Sequence, residues 1–322
     1  MGPGVEGHMV AVSVVMPVYD PPLEMLATAI ESILAQTFGD FEFLILDDGS
    51  QDQQTRFYLD LSATRDRRLR VFHEPHRGLT PALNRGLDLA RGEFIARQDA
   101  DDWSEPERFS RQVAYLRAHS EVALAGTDTQ LHRADGRPLW RLRLPHTSPE
   151  LSEAFSRGNP FVHGSTMYRR GSALQIGGYR EEFSCAQDYD FFWRLTETGS
   201  AVNLDEILYH YRYTSGAVSA QKAADQARLH QAARILAGMR HRGEPEDLPA
   251  ALAAAGNQSF SDPVGASLKQ ADHLMLAGDF RGARRAYLHV LQAHPGSGLT
   301  WAKILRLALF AAVPPAREAS FR

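Results

Sequence analysis

The stretch "GEFIARQDADDWSEPERF", Gly92–Phe109, decides the reading of this chain. An apolar strand within "EFIARQ" runs straight into three carboxylates, Asp99, Asp101 and Asp102. Close anionic side chains repel unless a cation or solvent relieves them. A helix start follows at once. Ser104 and Glu107 stand at capping-box spacing with Pro106 just inside, which predicts a helix over Pro106–Ala118. In an extended turn, residues two apart point the same way, so one small divalent cation, Mn²⁺ or Mg²⁺, could meet both Asp99 and Asp101. The alternative is that these aspartates only cap the helix behind them.

Working outward, "VAVSVVMPV" (Val10–Val18) is a β-branched apolar run and reads as a buried strand. Leu23, Leu26, Ile30, Ile33 and Leu34 then recur at helical spacing. "FEFLIL" (Phe41–Leu46) is a second buried strand closed by "DDGS", a polar helix covers Gln53–Ala63, and "LRVFH" makes a third strand. "TPALNRGLDLARG" reads as a helix with Pro81 in its first turn and Gly92 closing it. Strands alternating with helices imply an α/β fold: a mostly parallel, Rossmann-like sheet with helices on both faces. Ligands bind such sheets at the carboxyl ends of the strands. Tyr19–Asp20, Asp47–Asp48 and the Asp99–Asp102 turn all fall there, so three acidic turns converge on one edge.

Beyond Ala123 the pattern loosens. "ALAGTDTQLHR" is strand-like, "SPELSEAFSRG" is a short helix, "FVHGSTMYRR" alternates as a half-buried strand, and "DYDFFWRLTETG" is a helix with a glycine stop. "AVNLDEILYHYRY" supplies the closing strands. After Ser219 an Ala/Arg/Gln-rich helix (Gln221–Arg242) leads into the linkers "GEPEDLP" and "GNQSFSDPVG". Ser267–Pro295 carries tetratricopeptide-like offsets, with a generic helical hairpin as the alternative. "AKILRLALFAAVPP" is too short to span a bilayer, which needs ~20 apolar residues. It suits docking on the enzyme domain or lying on a membrane surface.

Composition bounds the rest. The net charge of −4 offers no general attraction to nucleic acid or anionic lipid. The single cysteine, Cys185, excludes an intrachain disulfide and a cysteine-only metal site and reads as an inert core residue in a reducing, cytoplasmic compartment. "MGPGVEGHM" lacks the apolar region of a signal peptide, and residues 1–10 read as a disordered terminus or an expression remnant. The only lysines are Lys222, Lys269 and Lys303. A Walker lysine, a Schiff base or a catalytic ammonium is therefore excluded from the first 221 residues, and with it the acidic-edge phosphoryl-transfer and nucleotidyl-transfer domains that need one.

Taken together, "VSVVMPVYD", "SILAQTFGDFEFLILDDGSQD" and "GLTPALNRGLDLARGEFIARQDADDWSEPERFSRQ" strongly resemble the inverting nucleotide-sugar glycosyltransferases of family 2, which have the GT-A fold. The resemblance covers about Val12 to Ser219 and implies a glycosyltransferase domain over residues 11–219, followed by an α-helical region over 220–322. It also implies a nucleotide-diphosphate-sugar donor, usually a UDP-sugar, a divalent metal and a carboxylate general base. Pro17, Val18, Tyr19 and Asp20 match the turn that cradles the nucleobase, with Asp20 where many members have asparagine. Asp48 matches the aspartate that hydrogen-bonds the base; an Asx turn before Gly49 is its other reading. Arg77, Gly78 and Asn84 fit the segment approaching the donor.

Asp99 and Asp101 match the DXD pair, with Asp101 the metal ligand and Asp99 nearer ribose or a metal-bound water; Asp102 reads as a solvated neighbour or helix-start carboxylate. Asp188, in "SCAQDYDFFWRL", matches the base, although Gln187 replaces the first acid of the family's pair; an N-cap is the alternative. Phe192 and Trp193 could face an acceptor or lie in the core. His163 matches a histidine that would bind diphosphate or metal, or is structural. Thr214 stands where the closing loop of the family commonly has histidine, which draws attention to His163 and His210. The implied acceptor is a glycan or lipid-linked hydroxyl, with peripheral association at the inner face of a membrane conceivable. The rival from another class is an inactive nucleotide-sugar-binding scaffold that recruits partners through its helical tail.

Overall fold

Strand β1 (Val12–Val18) and strand β2 (Phe41–Asp47) are buried along their whole length, as a central parallel sheet requires. Alternate side chains go to opposite faces. Val15, Leu44, Leu46 and Ile95 face one core, and Val12, Val14, Met16, Phe43 and Ile45 face the other. In this computed structural model, which describes residues 10–214, 223–257, 263–312 and 319–320, both faces are covered by helices. Helix α1 (Leu23–Leu34) packs on the second face through Leu26, Ile30 and Ile33, the positions whose spacing predicted it. The remaining amino-terminal elements are α2 (Gln53–Arg65), β3 (Leu69–His73), α3 (Leu79–Leu89), β4 (Phe94–Arg97), β5 (Trp103–Ser104) and α4 (Arg108–Ala118).

The sheet continues through β6 (Val122–Arg133) and β7 (Pro138–Arg143), with α5 (Ser148–Arg157) next in the chain. Then follow β8 (Met167–Arg169), α6 (Arg170–Gln175), α7 (Gln187–Thr196) and β9 (Ser200–Tyr213). The order is β7-β6-β8-β4-β1-β2-β3, with β9 pairing both β6 and β5. Strands β4, β1, β2 and β3 run parallel; β8 enters antiparallel between β4 and β6, and β9 runs parallel to β6. The carboxyl ends of β1, β2 and β4 therefore share one edge. This is the mixed, mostly parallel sheet of a GT-A-like fold with a helical carboxyl-terminal region, as the sequence implied.

Several local expectations are corrected. No capping box forms at Ser104 and Glu107, and α4 begins at Arg108 rather than Pro106. Ser104 belongs to β5, where its hydroxyl donates to Gln98 Oε1 at 2.8 Å and accepts from Arg108 at 2.8 Å, which holds it away from the helix end. Helix α3 ends at Leu89, and Gly92 lies beyond it as a point of close approach. A Cβ there would sit 2.5 Å from the Ser13 backbone nitrogen. "FVHGSTMYRR" is not one strand: His163–Ser165 form a 3₁₀ turn and only Met167–Arg169 pair in the sheet. "AVNLDEILYHYRY" is one long strand rather than several.

After the sheet come α8 (Ala223–His241), α9 (Leu248–Asn257), α10 (Pro263–Ala277), α11 (Phe280–Ala293) and α12 (Gly298–Ala312). The boundary expected at residue 219 does not separate two cores. Leu229, Ala233, Leu236 and Ala251 of α8 and α9 share a core with Tyr189 and Phe192 of α7. Helix α9 lies between the two expected linkers and takes in only the last two residues of the first and the first two of the second. The hairpin of α10 and α11 packs separately, on Leu131 and Leu139 of β6 and β7, through Leu268, Ala271, Met275 and Tyr287. Residues 1–9, the closing loop after Thr214, Lys222 and the middle of "GNQSFSDPVG" lie outside the described residues. Among the described residues, no helix is long and apolar enough to cross a membrane.

Substituting Gly92→Ala forces a methyl group against β1 backbone that cannot give way. We expect a loss of about 1–3 kcal/mol in urea unfolding with an unchanged m-value. An unchanged midpoint would show that the helix-stop reading was sufficient.

Candidate active site

Strand β4 delivers its acids into a low-dielectric pocket. Asp102 is fully buried, and its carboxylate accepts from the Tyr209 hydroxyl at 2.9 Å and from the Arg212 backbone N–H at 2.7 Å, both on β9. It is neither the solvated neighbour nor the helix-start carboxylate expected from the sequence. Burial first, and then the charges of Asp101 and Asp99, push its pKa well above the ordinary aspartate value. Asp101 is pushed up to about 6 by burial and by the charge of Asp99. Asp99 pairs with the buried Arg97 at 2.6 Å. Beneath them Arg108, also fully buried, donates to the Arg97 carbonyl at 2.7 Å and to Gln98 and Ser104. A Cβ on Gly164 would meet the Tyr209 hydroxyl and, at 2.6 Å, Asp99 Oδ2, so only glycine lets that turn close over the acids.

The ends of β1 and β2 build a cleft of about 610 Å³ beside this turn. Pro17, Val18, Tyr19, Asp48, Arg77 and Asp188 line it. Tyr19 stacks on His76 with ring centroids 4.2 Å apart, leaving half of Tyr19 exposed as a flat aromatic platform. Asp48 accepts from the N–H groups of Arg77 at 2.7 Å and Gly78 at 2.8 Å, which holds the 76–78 loop over the cleft. Gly78 has φ 100°, a conformation that favours glycine. The Asx turn belongs to Asp47, which accepts from the Ser50 N–H at 2.9 Å, not to Asp48.

Asp20 of the expected nucleobase turn and Asn84 of the expected donor segment each tie loops together. Asp20, at φ 42°, accepts from the N–H groups of Gln51 and Asp52 and so ties the β1 loop to the β2 loop. Asn84 exchanges two 2.8 Å bonds with the Tyr179 backbone, which pins α3 to the 176–180 loop.

A second cavity of about 520 Å³ is lined by Asp99, Asn159, His163 and Asp188, together with residues of β9 and α10. Asp188 thus belongs to the walls of both spaces. It stands one residue inside α7, whose N-cap position is Ala186, so the capping alternative falls away. Its carboxylate accepts from Asn159 Nδ2 at 2.7 Å and from the Tyr189 N–H at 2.9 Å. Burial, with a smaller contribution from the charge of Asp99, raises its pKa above the ordinary aspartate value.

Asp190 faces away, buried between Arg180 and Arg194. Phe192 is core, and Trp193 packs partly buried against it. His163 Nε2 lies 3.1 Å from the Tyr179 hydroxyl, and burial pushes its pKa well below the usual imidazole value, so it stands neutral. His210 is spent on Glu105 at 2.6 Å and on stacking with Trp103. Cys185 is buried in the wall of the larger space.

Two other charged clusters lie apart from these spaces. Donor atoms of Asp128, His146 and Asp205 lie within 4.8 Å of one another, but Arg141 already bridges the two acids. A cleft of about 720 Å³ at the opposite sheet edge holds Arg68, paired with Asp66, and Arg70 and Arg91, paired with Glu42. Neither touches the converging turns. Arg97, Arg108, Gly164, Asn159 and Tyr209 were not singled out from the sequence. Each acts through a neighbour 2 to 110 positions away, as with Arg97 on Asp99 and Tyr209 on the Asp99 N–H, and such a partnership leaves no local pattern.

An acidic strand-end turn facing a lone helix-borne carboxylate, in a sheet of this topology, defines a GT-A-type transferase site. Residues 13–177, just over half of the chain, match the family described as Glycosyl transferase family 2, and the chain belongs to that family. The protein is a glycosyltransferase. It is 34% identical to EpsE of Bacillus subtilis (strain 168) over 212 residues, 64% of this chain and 74% of that protein. It is 29% identical to the O-antigen biosynthesis glycosyltransferase WbnJ of Escherichia coli over 222 residues, 66% of this chain and 83% of that protein. Solved structures share the fold. The S. aureus TarS 1-349 complex with UDP-GlcNAc superposes with a TM-score of 0.56 at 20% identity, covering 92% of this chain and 89% of that one. The mannosyltransferase PcManGT from Pyrobaculum calidifontis, in complex with GDP-Man and Mn²⁺, gives 0.53 at 17% identity over 94% and 81% of the respective chains.

Removing the hydroxyl in Tyr209→Phe strips Asp102 of a donor and the Asp99 N–H of its acceptor. We expect a loss of about 1–3 kcal/mol in chemical denaturation. A change within error would mean that β9 does not anchor the acidic turn.

Proposed function

We propose that the protein transfers a sugar from a nucleoside-diphosphate donor, a UDP-sugar, in the larger cleft to an acceptor hydroxyl in the second cavity. The observation that carries this reading is Asp188, which stands in the walls of both spaces. The Tyr19–His76 platform takes the face of the nucleobase, and Arg77 lies where the diphosphate passes. Asp188 accepts the proton of the acceptor hydroxyl while that oxygen bonds to the anomeric carbon. The bond from this carbon to the diphosphate oxygen breaks with its electron pair on the leaving nucleotide. One displacement inverts the anomeric centre, in keeping with the family. A raised pKa makes Asp188 a better base than an exposed aspartate. Asn159 holds the carboxylate in line.

The donor set fits a divalent cation. Asp101 pays a penalty for ionising beside Asp99 that a cation at this turn would remove. Asp99 and Asp101 would hold Mn²⁺ or Mg²⁺, with His163 nearby. The ion, when bound, neutralises charge on the departing diphosphate. Lysine is absent from the first 221 residues, so arginine is the only other strong cation available there. The naming of WbnJ for O-antigen biosynthesis supports a glycan acceptor in cell-surface polysaccharide synthesis.

Replacing Asp188→Asn keeps size and removes the base. Transfer should fall by ~10²–10⁴, while the melting temperature holds or rises because burial disfavours the ionised form. In the parent enzyme the rate should fall on the acid side of neutrality, along a limb centred above the ordinary aspartate pKa, because the base must be unprotonated. A variant with full transfer activity would end the assignment.

Cation binding needs Asp101 ionised. The stabilising thermal shift given by Mn²⁺ with UDP-, GDP- or dTDP-sugars should therefore grow as pH rises through about 6, and vanish in Asp101→Ala. A shift equal at pH ~5 and ~7.5 would place the ion elsewhere. Release of nucleotide from the stabilising donor separates an active enzyme from a scaffold.

A further inference from the structure

The second cavity is not closed by the sheet domain alone. One of its walls is helix α10, which contributes Asp272, His273 and Leu276 opposite Tyr211 and Tyr213 of β9, with Asp188 at its inner end. We infer that this carboxyl-terminal helix is the acceptor-selecting wall and that the cavity takes an uncharged saccharide. The inference rests on the donor and acceptor assignment proposed above.

The wall is rigid. Leu276 belongs to the same packed cluster as Leu131 and Leu139 of the sheet. His273 is held by the Thr214 carbonyl at 2.6 Å and packs edge-on against Tyr213, with ring centroids 5.2 Å apart. Tyr213 in turn meets Tyr211 edge-on at 5.2 Å. Asp272 is already engaged by Lys303 and by the Tyr287 hydroxyl, so its charge is satisfied within the helical bundle.

The chemistry of the lining follows from which residues it omits. Among the described residues, no arginine or lysine lines this cavity, and three of its lining residues are aspartates. An anionic acceptor would have to approach the Asp188 carboxylate with no lining cation to compensate it. Aromatic and aliphatic surface with a few fixed polar groups instead suits the apolar faces and hydroxyls of a neutral sugar ring. The helix also lies outside residues 13–177, the segment shared with the family. Acceptor choice can therefore change with α10, which contributes no residue to the lining of the larger cleft.

The test uses the full chain with UDP present and two probes of equal size, p-nitrophenyl β-glucoside and p-nitrophenyl β-glucuronide, followed by saturation-transfer NMR. The glucoside should bind at least about tenfold more tightly than the glucuronide. Leu276→Trp, which fills the wall, should weaken glucoside binding by about tenfold or more, while the dissociation constant of UDP moves by less than about twofold. His273→Gln, a milder change, should shift glucoside binding in the same direction and serves if the tryptophan variant does not fold. Equal binding of the two glycosides, binding of neither, or parallel losses for glucoside and UDP would overturn the inference. Failure of the parent chain to bind UDP would instead remove the donor assignment on which the inference stands.

Discussion

Holding three carboxylates at the end of one strand, partly out of water, is the constraint around which the rest of this fold is arranged. An ion of that kind in a low-dielectric site costs several kcal/mol unless compensated. The chain answers with long-range partners. Tyr209 and the Arg212 backbone come from β9 to satisfy Asp102, Arg97 pairs with Asp99, and Arg108 ties the underlying backbone together. The two-residue strand β5 pairs with β9 at His210 and Tyr209, which brings these donors to the turn. Arg212 lies 4.5 Å over the Trp103 ring and donates to the Asp101 carbonyl, closing the arrangement from the other side. What remains at Asp101 is the cost of burial and, after it, the charge of Asp99, which the cation proposed for this turn would offset.

The two spaces beside the turn differ in electrostatic character although they share a wall. The larger one has Arg77, an aromatic platform and backbone N–H groups organised by Asp48. The smaller one has acids, two histidines and aromatic rings, with no arginine or lysine among its described lining residues. A proton acceptor at their boundary needs neutral surroundings on the acceptor side, so that its charge is neither quenched by an ion pair nor lost to bulk water. Asp188 has this environment. Its hydrogen bonds come from an amide side chain and a backbone N–H, while its neighbour Asp190 is consumed by two arginines. Two aspartates two positions apart on one helix thereby have opposite surroundings, one lining both spaces and the other locked between arginines.

Much of this was legible in the sequence, because the signals were local. Unbroken apolar runs bounded by turns identified β1, β2 and β4, and their alternation with helices identified the parallel sheet. In such a sheet the strand ends must share an edge, so the convergence of Tyr19, Asp48 and Asp99 followed from topology alone. The misreadings share a cause. Ser104 has capping spacing and Gly92 follows a helix, yet each is claimed by a contact outside that local pattern: Ser104 by Arg108 and Gln98, and Gly92 by the β1 backbone.

By itself, then, the order of residues determined the sheet, the edge that carries the chemistry, the absence of lysine chemistry in the first two-thirds of the chain, and the identity of the acids. Periodicity and strand polarity act over a few residues, so they survive without knowledge of the rest. Only the tertiary structure decided that Asp102 is a buried anchor, that Asp188 borders two spaces, that α8 and α9 belong to the catalytic core, and that α10 walls the second cavity. Those outcomes depend on which surfaces meet after distant parts of the chain have folded together. Burial and desolvation at such contacts are properties of the packed whole that no short stretch of residues encodes.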